Sequence, residues 1–165
     1  MPNLDLTYYR NSEIEKREES MLLVVKEVCE FIRTRAEEKS ITLQISGTDF
    51  VLPMDRDMIK SLILNLVDNS IKACDVNGTI VVSLEDDVKA YHLLIKENGR
   101  GMSEEDLERI REPFYRVDKS RSRQDGGAGL GIALCEHIAH RHNGELLYRS
   151  RLGVGTVVEV VFFKE

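Results

Sequence analysis

Cysteine is scarce in this chain of 165 residues, and the three present, Cys29, Cys74 and Cys135, are an odd, widely spaced set beside apolar neighbours. That pattern excludes a disulfide framework and reads as reduced thiols in a core. An excess of positive charge is lacking too. The formal net charge of −6 argues against a general binder of nucleic acid or anionic membrane, although basic residues gather locally in RVDKSRSR at 116–123. No apolar run approaches the length of a membrane span, and the opening MPNLDLTYYR lacks the apolar centre of a signal peptide. The expected setting is cytoplasmic, without direct contact to a membrane or to nucleic acid. Repeats and low-complexity segments are absent, and a hydrophobic fraction of 42% suffices for one ordinary core.

Residues 1–20 are polar with little periodicity and read as a linker from an upstream region, contributing little to the core. The domain proper is expected over 21–165. MLLVVKEVCEFIRTRAEE, from residue 21, carries apolar residues at helical spacing. ITLQISG (41–47) alternates as a strand does, and FVLPMD leads into a second helix over roughly 56–74 with Asp55 as its N-cap. TIVVSLEDD and YHLLIKENG read as a hairpin closed by the acidic turn at Asp86 and Asp87. Ser103 starts a short helix. Residues 112–130 form a long loop of the kind found in functional lids, a helix follows from Leu130 to about Arg141, and GELLYRS and GTVVEVVFF close the chain as strands. This order predicts a two-layer α/β sandwich: a mixed, mostly antiparallel sheet with helices on one face.

Two stretches carry chemistry. In the second helix, Ser61, Asn65, Asp68, Asn69 and Lys72 fall into one narrow wedge at about 100° per residue, while apolar residues fill nearly all the rest. Such a wedge is either a solvated edge or the lining of a site. Two amides and an ammonium on one face suit a magnesium–phosphate group. Downstream, Gly126, Gly127, Gly129 and Gly131 crowd into six positions before a helix. That loop is either an empty surface turn or a cradle presenting backbone N–H groups to an anion.

NLVDNSIKA (65–73), KENGRGM (96–102), EPFYRVDKSRSR (112–123), GGAGLGIAL (126–134) and GVGT (153–156) follow in that order. The chain thereby resembles, over roughly 21–163, the catalytic ATP-binding domain of sensor histidine kinases, within the wider group that holds gyrase, the Hsp90 chaperones and MutL. The resemblance implies the Bergerat-type fold of that group, with ATP and Mg2+ as cofactors. It assigns Asn69 to the magnesium ion, Asn65 beside it, and Lys72 to a phosphate or the ribose; Asn65, Lys72 and Arg116 make up the catalytic set. Gly127, Gly129 and Gly131, with Leu130 among them, would face the triphosphate. Gly99 and Gly101 would shape the turn under the adenine, Thr156 would help hold it, and Phe114 and Tyr115 would anchor the lid that carries Arg116.

Two departures sharpen this. Where the ATPase branches carry a glutamate that activates water, this chain has Asn65, which cannot accept a proton. Phosphoryl transfer to another group is therefore expected in preference to hydrolysis. Where the family has an aspartate for the adenine amino group, this chain has Glu97, whose additional methylene must fold back or push the base outward. The acceptor is expected elsewhere: none of His92, His137, His140 and His142 sits in the family's phosphorylated-histidine motif, and His137 with His140 lacks a third metal ligand. The implied partners are an upstream dimerisation and phosphoacceptor domain and, through it, a response regulator. The full-length protein is expected to be a homodimer and this domain alone a monomer. A degenerate regulatory module, or a serine kinase or ATPase of the same fold, are the competing readings.

Overall fold

The computed structural model describes residues 14–110 and 131–165. Its elements are β1 (Arg17–Ser20), α1 (Met21–Glu38), β2 (Thr42–Gly47), β3 (Val51–Met54), α2 (Arg56–Ala73), β4 (Thr79–Asp86), β5 (Ala90–Glu97), α3 (Glu104–Arg109), α4 (Gly131–Arg141), β6 (Gly144–Arg151) and β7 (Gly155–Phe163). Five strands form one sheet in the order β2-β4-β5-β7-β6. β2 runs parallel to β4, and every other neighbouring pair is antiparallel. This is the expected mixed sheet.

Alternation along the central strands decides which side is covered. Ile80, Val82 and Leu84 of β4 and Leu93, Ile95 and Glu97 of β5 are buried at every second position, so they share the face under the helices. α2 lies centrally in the helix layer, packed against α1, α4 and β5. It is apolar almost all round, burying Met58, Ile59, Leu62, Ile63, Leu66, Val67 and Ile71. Asp55 caps it as expected, accepting from the Met58 N–H at 3.2 Å. α4 buries Leu134, Cys135, Ile138 and Ala139. All three cysteines are free and buried, as expected of core thiols.

The beginning of the chain departs from expectation. Residues 17–20 are not linker: they pair antiparallel with β3 as a separate two-stranded sheet, and Ile14 packs against the core. The charged REES sequence hides this strand because it is stabilised by its partner and not by an alternating apolar face. Pro53 sits within β3, where a two-stranded ribbon tolerates its missing N–H. Ser20 then caps α1, accepting from Leu23 N–H at 3.2 Å while its hydroxyl donates to Asp49 at 2.7 Å.

Two histidines act structurally. The buried His142 accepts from the Asp55 N–H at Nε2 (3.0 Å) and donates from Nδ1 to the Ile138 carbonyl (2.8 Å), tying the end of α4 to the start of α2. His92, on the opposite sheet face, lies between Glu159 at Nδ1 and Asp87 at Nε2, both at 2.6 Å. Burial alone would lower the His92 pKa, but the bonds to Asp87 and Glu159 outweigh it and raise the value above the ordinary one. Only the imidazolium donates to both carboxylates, so its stabilisation is fully present below the unfolded pKa of about 6.5 and is lost as pH rises through the raised folded value. The urea midpoint of the wild type should therefore exceed that of His92→Gln by more near pH 6 than near pH 9, with about equal differences contradicting the assignment.

Candidate functional site

The site grows from the end of β5. Continuing the inward alternation of Leu93 and Ile95, Glu97 arrives in the covered layer with 2% of its surface exposed. The chain then turns through Asn98–Gly99–Arg100–Gly101. The Glu97 side chain folds back on this turn, and Oε2 accepts from the Gly99 N–H. Of the two outcomes open to the longer side chain, the free protein adopts the folded-back one. Oε1 is buried and has no hydrogen-bond partner among the described residues. Burial raises the pKa of this carboxyl above the ordinary glutamate value, against the Gly99 N–H and the hydroxyl and backbone N–H of Thr156, which lower it.

The turn is built for close approach. A Cβ at Gly99 would lie 2.2 Å from the Ala73 carbonyl oxygen, so glycine lets the turn close against the end of α2. Gly101 has φ +71°, and a Cβ there would meet the Arg151 carbonyl oxygen at 2.1 Å. Asn98, to which the sequence reading gave no role, accepts from the Thr79 N–H at 2.8 Å and from the Cys74 thiol at 3.6 Å, fastening the turn to the start of β4 and the cap of α2. Ser150 of β6 was also missed. Its hydroxyl accepts from the Met102 N–H at 2.7 Å and lies 2.7 Å from the Thr156 hydroxyl. Nothing in a polar residue within an alternating strand signals such a role. The register does: Thr156 stands opposite Glu97 on one side and opposite Ser150 on the other.

The wedge of α2 is real, and it divides. Asn65 donates from Nδ2 to the Ser61 carbonyl at 2.7 Å, and its Oδ1 lies 3.4 Å from where a Cβ on Gly131 would stand. Asn65 thus meets the start of α4. Asn69 is exposed one turn on. Asp68 instead faces α1, paired with Arg35, and it holds the Lys72 ammonium at 3.3 Å. The expected row of Asn65, Asn69 and Lys72 is therefore split, because Asp68 draws the lysine toward its carboxylate. Leu64, Asn65, Asp68 and Lys72 line a cavity of about 300 Å3 together with Phe31 and Arg35 of α1.

The structure brings together Glu97, Gly99, Gly101 and Thr156 at the sheet end, and Asn65 with Gly131 between α2 and α4. Arg116, Phe114, Tyr115, Gly127, Gly129 and Leu130, and the lid at 112–130, lie outside the described residues. A buried acceptor without a donor, beside a turn into which no side chain fits, can take a hydrogen bond from a flat polar ligand such as a purine amine. Among the described residues no group of three or more His, Cys, Asp or Glu could hold a metal ion.

Comparison with known proteins identifies the family and the fold. Residues 54–165 match the family described as histidine kinase-, DNA gyrase B-, and HSP90-like ATPase. The chain is 34% identical over 116 residues to the signal transduction histidine-protein kinase BaeS of Escherichia coli, covering 70% of this chain and 25% of that protein. It is 34% identical over 135 residues to the sensor-like histidine kinase SenX3 of Mycolicibacterium smegmatis, covering 81% and 35%. The chain thus spans about a quarter to a third of these relatives. The nucleotide-free catalytic domain of histidine kinase ThkA superposes with a TM-score of 0.79 at 26% identity, over 92% of this chain and 97% of that one.

The turn makes a direct prediction. Gly101→Ala meets both an unfavourable φ and a carbonyl oxygen, so it should lower stability by about 2–4 kcal/mol in urea unfolding, and a loss under about 0.5 kcal/mol would show that the turn relaxes freely.

Proposed function

Since the chain belongs to the family of histidine kinase-, DNA gyrase B- and HSP90-like ATPases, we propose that it is the catalytic part of a sensor histidine kinase, transferring the γ-phosphate of Mg-ATP to a histidine carried by another domain. The observation that carries this reading is Glu97: a fully buried carboxylate, anchored through one oxygen to its own turn, with the other oxygen unpartnered. The exocyclic amine of adenine supplies the missing donor, whereas the carbonyl of guanine would be repelled. Asn69, exposed on α2, offers one neutral oxygen to a magnesium ion whose remaining ligands come from phosphate and water. Magnesium there would offset charge on the transferring phosphoryl group.

Asn65 favours transfer over hydrolysis. Its amide nitrogen is committed to the Ser61 carbonyl, and no amide oxygen accepts a proton at neutral pH. Catalysis then rests on positioning and electrostatic stabilisation. Lys72, tethered by Asp68 one turn beyond Asn69, adds positive charge at that end of the wedge. The remaining parts of the reading are a phosphoacceptor and dimerisation domain preceding this chain, a homodimeric full-length protein in the cytosol, and a response regulator that takes the phosphate from the acceptor. The names of BaeS and SenX3 support these partners, as does a solved complex of ThkA with the response regulator TrrA.

The test uses this chain with Mg-ATP and a separately supplied histidine-bearing domain. The chain should bind Mg-ATP in calorimetry, turn it over negligibly alone, and label the histidine domain when that is added. Asn69→Ala should abolish the labelling. Steady ATP turnover by the chain alone, or labelling by Asn69→Ala at the normal rate, would reject the assignment.

A further inference from the structure

Three residues from three adjacent strands stand in one row. Glu97 of β5 is opposite Thr156 of β7, and Thr156 is opposite Ser150 of β6. Directly opposed residues project to the same face, so all three side chains lie on the covered side with Glu97. The Ser150 hydroxyl, half-buried, is 2.7 Å from the Thr156 hydroxyl and accepts from the Met102 N–H at 2.7 Å. Its remaining neighbour is the Gly155 carbonyl at 3.0 Å. That carbonyl can only accept, so Gly155 and Thr156 compete for the single Ser150 proton. With the proton on the Thr156 side, the Met102 N–H, the Ser150 hydroxyl and the Thr156 hydroxyl form a continuous chain, and the Thr156 proton is available to the Glu97 carboxyl opposite it, whose charged form it favours.

We propose that Ser150 is a positioning residue for recognition of the base: it orients the Thr156 hydroxyl toward Glu97 and pins the turn at Met102, so that the carboxylate keeps one oxygen for the adenine amine. The proposal rests on the reading of Glu97 as the base acceptor. Chains of hydroxyl groups polarise one another, and losing the middle member frees the next to rotate. Without Ser150, Thr156 no longer has a fixed partner, and the turn loses its attachment to β6 at Met102. The carboxylate then wanders relative to the base. The consequence is specific to the amine, because phosphate binding depends on residues of α2 and α4 that Ser150 does not touch.

The experiment is calorimetry with Mg-ATP and with Mg-purine riboside triphosphate, which lacks the amine, on the wild type, Ser150→Ala and Ser150→Thr. The wild type should favour ATP; Ser150→Ala should weaken ATP about five- to tenfold and the analogue less than about twofold, collapsing the ratio, and Ser150→Thr should restore it. If Ser150→Ala does not fold, Ser150→Cys, whose thiol bonds weakly, should show the same collapse. An unchanged ratio, or equal weakening of both nucleotides, overturns the proposal. A wild type that binds both nucleotides alike overturns the reading of Glu97, and the proposal with it, before any substitution is made.

Discussion

A carboxylate placed by strand alternation under a layer of helices is the constraint on which this site depends. Burying a charged group costs several kcal/mol unless its oxygens are bonded, and Glu97 has only one that is. The surroundings bear the marks of holding it. Gly99 brings its N–H against Oε2, and a side chain at that position would collide with Glu97 itself at 2.5 Å. Thr156 faces the carboxyl from the next strand. An incompletely satisfied buried group retained in a well-packed fold points to a ligand that completes it.

α2 supplies the second half. It is buried on most sides because α1, α4 and the sheet enclose it; beyond its first turns, where Arg56 and Lys60 reach Glu27 of α1, its polar side chains gather in the wedge. Within the wedge, charge pairing sorts the residues: Asp68 bonds Arg35 of α1 and holds Lys72 beside it, while Asn65 meets Gly131 of α4. His142 joins the end of α4 to the N–H of Asp55, the cap of α2, and so fixes the two helices against each other. The N-terminal strand is bound to the same assembly through β3, and Arg56 at the start of α2 reaches Glu19 of β1 at 3.5 Å as well as Glu27 of α1. The N-terminal strand is thus in direct contact with the helix that carries Asn65 and Asn69.

What the sequence made legible follows from periodicity. α1, α2, the β4–β5 hairpin and the closing strands each bury one regular set of positions, and the Asp55 and Ser103 caps have the usual side-chain chemistry. β1 and β3 were not legible because their pairing is with each other, without an alternating apolar signature, and Pro53 reads as a break. At the site, Glu97 stood out as a departure, but its fold-back required the turn geometry. The roles of Ser150 and Asn98 exist only through register and tertiary contact, as does the diversion of Lys72 to Asp68. Arg116, Phe114 and Tyr115 lie outside the described residues, so their roles rest on the resemblance alone.

The most direct test of the buried-acceptor account is a carboxyl-carbon NMR titration of Glu97 with and without ATP. In the free protein the carboxyl should titrate above the ordinary glutamate value, as burial requires. A donor that bonds the charged form stabilises it, so ATP should bring the value down. An ordinary pKa in the free protein, or a value that ATP leaves unchanged or raises, would contradict the claim that Glu97 holds an oxygen in reserve for the base.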